Sequence, residues 1–375
     1  MKVQEKAHFW GEPVWSFPMT VTPHPLPDGL HVDVAVVGAG FTGLATAYYV
    51  LQRTPGLRLA VFEARQVGAG ASGRTGGLVL EDTAEGPLPG IDHCIATLEG
   101  LVSTAGIACD LQVAGCWEIG RHGGHRDSPI QWNDHGTLQV VNFIPGGAFD
   151  PRRYLAGLAA VVEHAGGQIF EHAPVTGLDV TSPGNVRLEI GEKVVSAERV
   201  VFGTNAFCLP LLHLEDRAGA VHTIAVATEP LADAAFEAMG WSTHTPFYTL
   251  DLPYLWGRVT AERRLVIGAG LIGHDDVENT RVDSAEARSL FEGLERRIRG
   301  LHPTLHRLHF TQRWMGPICF TSNRKPIITS FDANRRVLVA TGYSGHGVAL
   351  SARVGRLLAE VLAGQTELPE WSHRL

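Results

Sequence analysis

The sequence predicts an α/β (α+β) protein built on a Rossmann-like dinucleotide-binding unit, and three observations carry that reading. "VDVAVVGAGFTG" puts a strand, a glycine turn and a helix start in immediate succession. A second apolar strand, "LRLAVFE", ends on Glu63, twenty residues past the last of those glycines. Runs such as "AVHTIAVATEPL", "PYLWGRV" and "RRLVIGAG", with turn signals between them, read as an antiparallel sheet elsewhere in the chain.

Composition bounds the alternatives. At 375 residues the chain has room for two domains, and its 45% apolar and 19% charged residues are an ordinary globular balance. A formal charge of −8 speaks against a nucleic-acid partner and weakly favours cationic substrates. "MKVQEKAHFWGEPVWSFP" lacks the apolar stretch of a secretory leader, and no apolar run is long enough to enter and cross a bilayer. The five cysteines (Cys94, Cys109, Cys116, Cys208 and Cys319) are scattered, with no CxxC. Reduced thiols in a cytoplasmic protein are therefore expected, without a zinc site.

The first glycine motif has the context a fingerprint needs. The strand Val32–Gly38 enters it, Gly38, Gly40 and Gly43 form it, and "LATAYYVLQR" leaves it as a helix. A dinucleotide pyrophosphate belongs at that helix end, and Glu63 stands where a carboxylate meets ribose hydroxyls. Phe41 and Thr42 between the glycines, and Ala64 and Arg65 after the acid, are counted with the same site.

The pattern occurs twice more. "GAGLIG" (Gly268, Gly270, Gly273) follows a strand but leads into the polar "HDDVENTRVD", so it reads as a turn. "GAGASGRTGG" (Gly68, Gly70, Gly73) lies just past Glu63 and leads into "RTGGLVL", again no regular helix. Its small residues let backbone approach a flat ligand closely, as the far end of a bound dinucleotide requires. Gly70, Ala71, Ser72, Arg74, Thr75, Gly76 and Gly77 form that bed.

With these motifs the sequence resembles the glycine oxidase/D-amino-acid oxidase (DAO) superfamily of FAD-dependent oxidoreductases. The motifs are nearest to the gamma-glutamylputrescine oxidase branch, which carries GASGRNGG where this chain has GASGRTGG. "RWMGPICFTSNRKPIIT", "VLVATGYSGHGVALSARVGRLLAE", "FEHAPVTGLDV" and "VVFGTNAF" extend the likeness over most of the chain. The resemblance implies an FAD-binding domain interleaved with an antiparallel-sheet substrate domain. The expected boundaries are an N-terminal arm over 1–31, an FAD domain over 32–80, 148–215 and 322–375, and a substrate domain over 81–147 and 216–321. It further implies non-covalent FAD, with the second glycine run along the isoalloxazine ring and the backbone of Val175 at the adenine. Two departures stand out: Thr75 replaces the usual Asn, and the chain is short between Gly77 and Phe149, where substrate should be covered.

The resemblance also orders the remaining candidates. Gly342, Gly345, His346, Gly347 and Val348 open a helix whose N–H groups can stabilise the negative charge of a reduced flavin. His346, the one catalytic candidate, either faces the ring or caps that helix. Arg74 serves FAD phosphate, substrate or only solvent; Ser72 and Thr75 offer hydroxyls to the flavin edge or hold their own loop. Ile318 stands where relatives place an arginine against a substrate carboxylate, leaving Arg258 or Arg313 to substitute. Tyr254 and Trp256 form an aromatic wall for an amine or pack in the core. Cys319 reads as a buried thiol, and Val266 occupies the position of an oxygen-activating lysine. The histidines of "LHPTLHRLHF" and "RHGGHRD" read as surface or short structural segments.

The expected reaction is oxidation of an amine C–N bond by hydride transfer to flavin N5, followed by hydrolysis of the imine. Two readings stay open beside it: a flavoprotein dehydrogenase subunit passing electrons to a partner, and an NAD(P)H-dependent flavin hydroxylase.

Overall fold

The computed structural model describes residues 7–15, 21–181, 184–273, 280–332 and 334–372. Along the chain come β1 (His31–Val37), α1 (Phe41–Arg53), β2 (Leu59–Phe62), β3 (Leu78–Leu80) and α2 (Cys94–Ala105). Next are β4 (Cys116–Gly120), β5 (Trp132–Asn133), β6 (Thr137–Ile144), β7 (Gly146–Ala148) and α3 (Pro151–His164). Then follow β8 (Gln168–Phe170), β9 (Val175–Asp179), β10 (Val186–Ile190), β11 (Lys193–Phe202) and β12 (Ala218–Pro230). The last group is β13 (Phe247–Thr249), β14 (Leu255–Val259), β15 (Arg264–Gly273), α4 (Ala285–Leu301), β16 (Phe310–Thr321), β17 (Ile327–Ser330), β18 (Val337–Thr341) and α5 (Gly347–Leu362).

Two eight-stranded sheets hold all of these strands but β3 and β7, which pair antiparallel with each other. The first runs β17-β18-β11-β1-β2-β8. Its β18, β11, β1, β2 and β8 are mutually parallel, β17 is antiparallel at the edge, and β9–β10 extend from β11 as a meander. Parallel strands need crossovers and buried faces, which is why β1 turns continuously apolar toward its end. One face packs against α1, α3 and α5 through Leu44, Leu158 and Leu350; the other holds Val32, Ala35 and Val37. The second sheet runs β16-β12-β15-β14-β13-β4-β6-β5, antiparallel except where β13 lies beside β4. Phe291, Leu294 and Ile298 of α4 close its core.

The sequence reading assigns all of 81–147 to the substrate domain, and the structure divides that stretch. Strands β4, β5 and β6 join the second sheet, but α2 packs into the core of the first through Ile95, Leu98 and Leu101. An apolar helical face must be buried somewhere. For α2 the available partner is α5, in whose cluster Val354 and Leu358 sit.

Helix ends separate scaffold from site. Asp150 caps α3 by accepting from the N–H groups of Arg152 and Arg153, with Pro151 in the first turn. Ser284 caps α4, and the Glu81 carboxylate accepts from Cys94 and Ile95 at the start of α2. Helices α1 and α5 have no such capping side chain at Gly40 and His346, and no acid in the first turn. Both of these ends face the cavity described next.

Candidate active site

The first glycine motif turns at the carboxyl edge of the parallel strands, where open α/β sheets bind ligands. Gly38 has φ +100°, and a Cβ on Gly43 would lie 1.8 Å from the Gly38 carbonyl oxygen, so neither tolerates a side chain. Glu63 follows β2 and holds this turn in place. Its two oxygens accept from Ala39 N–H at 2.9 Å and Arg65 N–H at 3.0 Å. Burial pushes the Glu63 carboxyl up, and those two backbone bonds oppose the shift. Backbone bonds from Ala173 to Glu63 and from His172 to Arg65 then lead the chain to Val175 at the start of β9. Exposed Ala64 lies between the two anchored residues. Hydrogen bonds thus tie the turn at Gly38–Gly43 through Glu63 and Arg65 to the stretch that enters β9, and none of these residues lines the cavity described next. The Arg65 guanidinium lies 4.5 Å from the Trp10 ring centroid.

The second glycine run is bound to the first. The Ser72 hydroxyl accepts from Phe41 N–H at 3.0 Å, meeting one of the open donors of α1. Indoles anchor the rest: Trp314 donates to the Arg74 carbonyl at 2.9 Å and Trp15 to the Thr75 carbonyl at 3.0 Å. Thr75 turns its hydroxyl to Gly77 N–H at 3.3 Å. Gly77 has φ +70°, and Phe149 N–H donates to its carbonyl.

A cavity of ≈ 810 Å³ opens from these loops toward the second sheet. Of the sequence candidates, Phe41, Thr42, Ala71, Ser72, Arg74, Thr75 and Gly76 line one side of it. Gly345, His346, Gly347 and Val348 line a second, and Tyr254, Trp256 and Ile318 a third. Gly342 and Gly70 lie next to the lining residues, outside the cavity surface. Gly342 has φ +70° and a Cβ there would meet Thr321 Cγ2 at 2.6 Å, so its turn is packed tightly.

The third glycine motif has a structural use. Gly268 pairs with Trp256 across β14 and β15, and a Cβ on Gly268 would lie 2.1 Å from the indole. A Cβ on Gly76 would lie 2.2 Å from the same ring. Trp256 is therefore seated against two glycines, one in the second glycine run and one in the sheet. The polar loop read after this motif falls partly on 274–279, outside the described residues.

The arginine candidates are engaged as scaffold. Arg258 is buried and does not line the cavity; its Nη1 donates to the carbonyls of Gly76 (3.2 Å) and Phe149. Burial lowers it to about 10. Arg313 pairs with Glu295 at 2.6 Å, away from the cavity. Arg74 borders the cavity, but its Nη1 donates to the Gly11 carbonyl at 2.6 Å and its Nε to Ala69 at 3.3 Å. The sequence leaves Arg258 and Arg313 free to grip substrate; the structure spends both on the scaffold, because each has a nearer partner.

His346 occupies the N-cap position of α5, yet its imidazole makes no capping bond there. Its Nδ1 lies 3.4 Å from the Ser344 carbonyl, and burial lowers its pKa, which favours the neutral ring. Cys319 is 1% exposed and packs with Cys208 and Leu209, where burial pushes its thiol up. Val266 is fully buried between Trp15 and Trp314. His302 uses Nδ1 to accept from Thr304 N–H in a short helical turn.

Sequence reasoning missed much of the cavity wall, including Tyr248, Asn205, Tyr343 and Arg324. Tyr248 pairs with Trp256 across β13 and β14 and donates its hydroxyl to Glu118. Asn205 donates to the Pro317 carbonyl at 3.2 Å, Tyr343 meets Thr42, and Arg324 sits in the turn after β16. Asn205 and Tyr343 lie inside quoted motifs, "VVFGTNAF" and "GYSGHG", where position past a parallel strand was the available signal. Arg324 also lies inside a quoted motif, "RWMGPICFTSNRKPIIT", while Tyr248 depends on sheet pairing and had no local signal.

A glycine turn at the carboxyl edge of a parallel sheet, beside a cavity walled by a second sheet, defines a dinucleotide-dependent enzyme. The chain belongs to the FAD dependent oxidoreductase (DAO) family, whose model matches residues 33–361. It is 27% identical to the probable oxidoreductase OrdL of Haemophilus influenzae, over 92% of this chain and 85% of that one. It is also 27% identical to the gamma-glutamylputrescine oxidoreductase of Escherichia coli, over 91% of this chain and 86% of that one. The glycine oxidase structure from Geobacillus kaustophilus superposes with a TM-score of 0.73 at 20% identity, over 91% of this chain and 97% of that one. No helix among the described residues is long and apolar enough to cross a membrane. The residues present fit FAD: a turn that a Cβ would fill, a start of α5 without a capping side chain, and a run of small residues beside the start of α1.

Proposed function

We propose that this FAD-dependent oxidoreductase oxidises a C–N bond of a small amine or amino-acid derivative, with FAD held non-covalently. Gly38, Gly40, Gly43 and Glu63 would hold the nucleotide half, Val175 the adenine, and Ala71 to Gly77 the ring system. Bound there, FAD supplies the acceptor for the hydrogen and electrons that leave the amine carbon.

The observation that carries this reading is the character of the cavity wall. It joins the glycine cradle to Tyr248, Tyr254, Trp256 and Ile318, and no carboxylate lines it among the described residues. An ammonium would find no counter-ion there, while a neutral amine, the oxidisable form, is accommodated against the aromatic rings. The chain as a whole is acidic, but among the described residues its cavity wall carries only Arg74 and Arg324 as charged side chains. The His346 ring is neutral at rest and adds a positive charge to the wall only when it accepts a proton. Trp256, seated on glycines, and Tyr254 position the substrate, and the uncapped end of α5 favours negative charge nearby. The names of the Escherichia coli relative and of the glycine oxidase agree with C–N oxidation.

A second reading, in which electrons pass to an acceptor other than oxygen, is favoured by Val266. No lysine lines the cavity among the described residues, so the ammonium that activates oxygen in related oxidases has no counterpart on the wall. Anaerobic titration of the FAD-loaded protein with primary amines, N-methyl amines and amino acids tests both. Bleaching of the flavin band by one class supports C–N oxidation, and rapid recovery in air selects the oxidase. Bleaching by NADPH with none by any amine overturns the proposal.

A further inference from the structure

The cavity has two charged wall residues, and they differ in what they are attached to. Arg74 is buried and bonded to the carbonyls of Gly11, Ala69 and Met315. Arg324 is exposed, in the turn between β16 and β17. Among the described residues its backbone N–H bonds to Thr321, while its guanidinium has neither hydrogen bond nor ion pair. It lies near enough to His346 to act on that ring electrostatically.

Lone exposed arginines are common, but this one borders a cavity without a single carboxylate among its lining residues. A guanidinium presents a planar fork of donors that matches a carboxylate with two parallel bonds. Nothing on the wall competes for that fork. Ile318 stands on β16 two residues ahead of Phe320, and both line the cavity with Arg324. β16 ends at Thr321, three residues past Ile318, and Arg324 stands beyond that end in the turn, its N–H bonded to the Thr321 carbonyl.

We infer that Arg324 is a specificity-determining residue that binds an anionic group, of the carboxylate class, at the end of the amine remote from the oxidised C–N bond. The substrate class is then an amine carrying a distal carboxylate, with apolar Ile318 and Phe320 beside the intervening chain. This rests on the reading of the cavity as an amine site, and it separates from that reading in the test.

The experiment is a binding titration of butanoate and of butanamide into FAD-loaded wild type, Arg324→Gln and Arg324→Lys, followed by perturbation of the flavin spectrum. The expected result is a preference for butanoate over butanamide that falls about tenfold in Arg324→Gln and is partly restored in Arg324→Lys. Flavin content of each variant reports that the fold and cradle are intact. An unchanged preference in Arg324→Gln overturns the inference. A parallel series of ω-amino carboxylates of increasing length, scored by anaerobic bleaching, should show the longer members preferred by wild type. Bleaching by amines together with an unchanged butanoate preference would leave C–N oxidation standing and remove Arg324 from it. Loss of butanoate preference with no bleaching by any amine would do the reverse.

Discussion

Gly268 lies directly across the β14–β15 pair from Trp256, and the hydrogen at its Cα is all that separates its backbone from the indole face. Gly43 is equally intolerant of a side chain, but its neighbour is the Gly38 carbonyl of the nucleotide turn. Two glycines of the same motif type therefore do different work. We expect Gly43→Ala to yield protein without FAD, and Gly268→Ala to retain FAD while displacing Trp256. Flavin absorbance per protein measures the first, and the KM for an amine substrate the second, which should rise by about tenfold or more. Equal flavin loss in both variants would contradict the assignment.

The nucleotide unit was legible because its signals are local. A buried strand, a glycine turn and an apolar helix follow one another, and β1, α1 and β2 appear where that pattern puts them. The second sheet was legible only in its long strands. β5 and β13 are two and three residues long and have no periodicity of their own. Helix α4 repeats Ala287, Phe291, Leu294 and Ile298 at helical spacing, a pattern the sequence reading left unused. Trp256 against Gly268 depends on strand register, which no local pattern encodes. The same holds for Arg258, whose acceptors Gly76 and Phe149 lie 182 and 109 residues away.

The pH dependence of stability should carry a His346 component. Burial sets its folded-state pKa below the ordinary 6.5, so the unfolded chain takes up the proton first as pH falls. Unfolding then binds protons, and stability drops on acidification below that ordinary value, with no effect above it. His346→Asn should flatten this part of the curve. Denaturant midpoints of holoprotein from about pH 7 to pH 5 measure it, since an imidazole free in solvent would add no slope. Parallel curves for wild type and variant would count against a buried neutral ring.

Flavin should leave the protein on acid precipitation. Thiolate is the form of cysteine that makes covalent bonds, and burial of Cys319 beside Cys208 and Leu209 opposes ionisation. Cys319 borders the cavity on β16, but it is 1% exposed and packs into the apolar cluster of the first sheet. A coloured supernatant from wild type, indistinguishable from that of Cys319→Ser, is expected. Colour that stays in the wild-type pellet and leaves with Cys319→Ser would show a covalent link.

Arg258 offers a direct contrast between holding substrate and holding the fold. Its Nη1 joins the carbonyl of Gly76, in the flavin loop, to that of Phe149, at the entry to α3, and its charged carbon lies 5.2 Å from the Trp15 ring centroid. Arg258→Leu fills much of the same volume but leaves two carbonyls without a donor. Each unsatisfied buried group costs about 1–3 kcal/mol, so a loss of about 2–4 kcal/mol in unfolding free energy is expected. Replacing a buried charge by an apolar side chain can offset part of such a loss, which is why the lower end of that range is the safer figure. The KM for an amine, measured on the fraction that retains FAD, should change little. A residue gripping substrate would behave in the opposite way, with stability kept and KM raised. The urea midpoint and the KM of one variant therefore decide between the two roles.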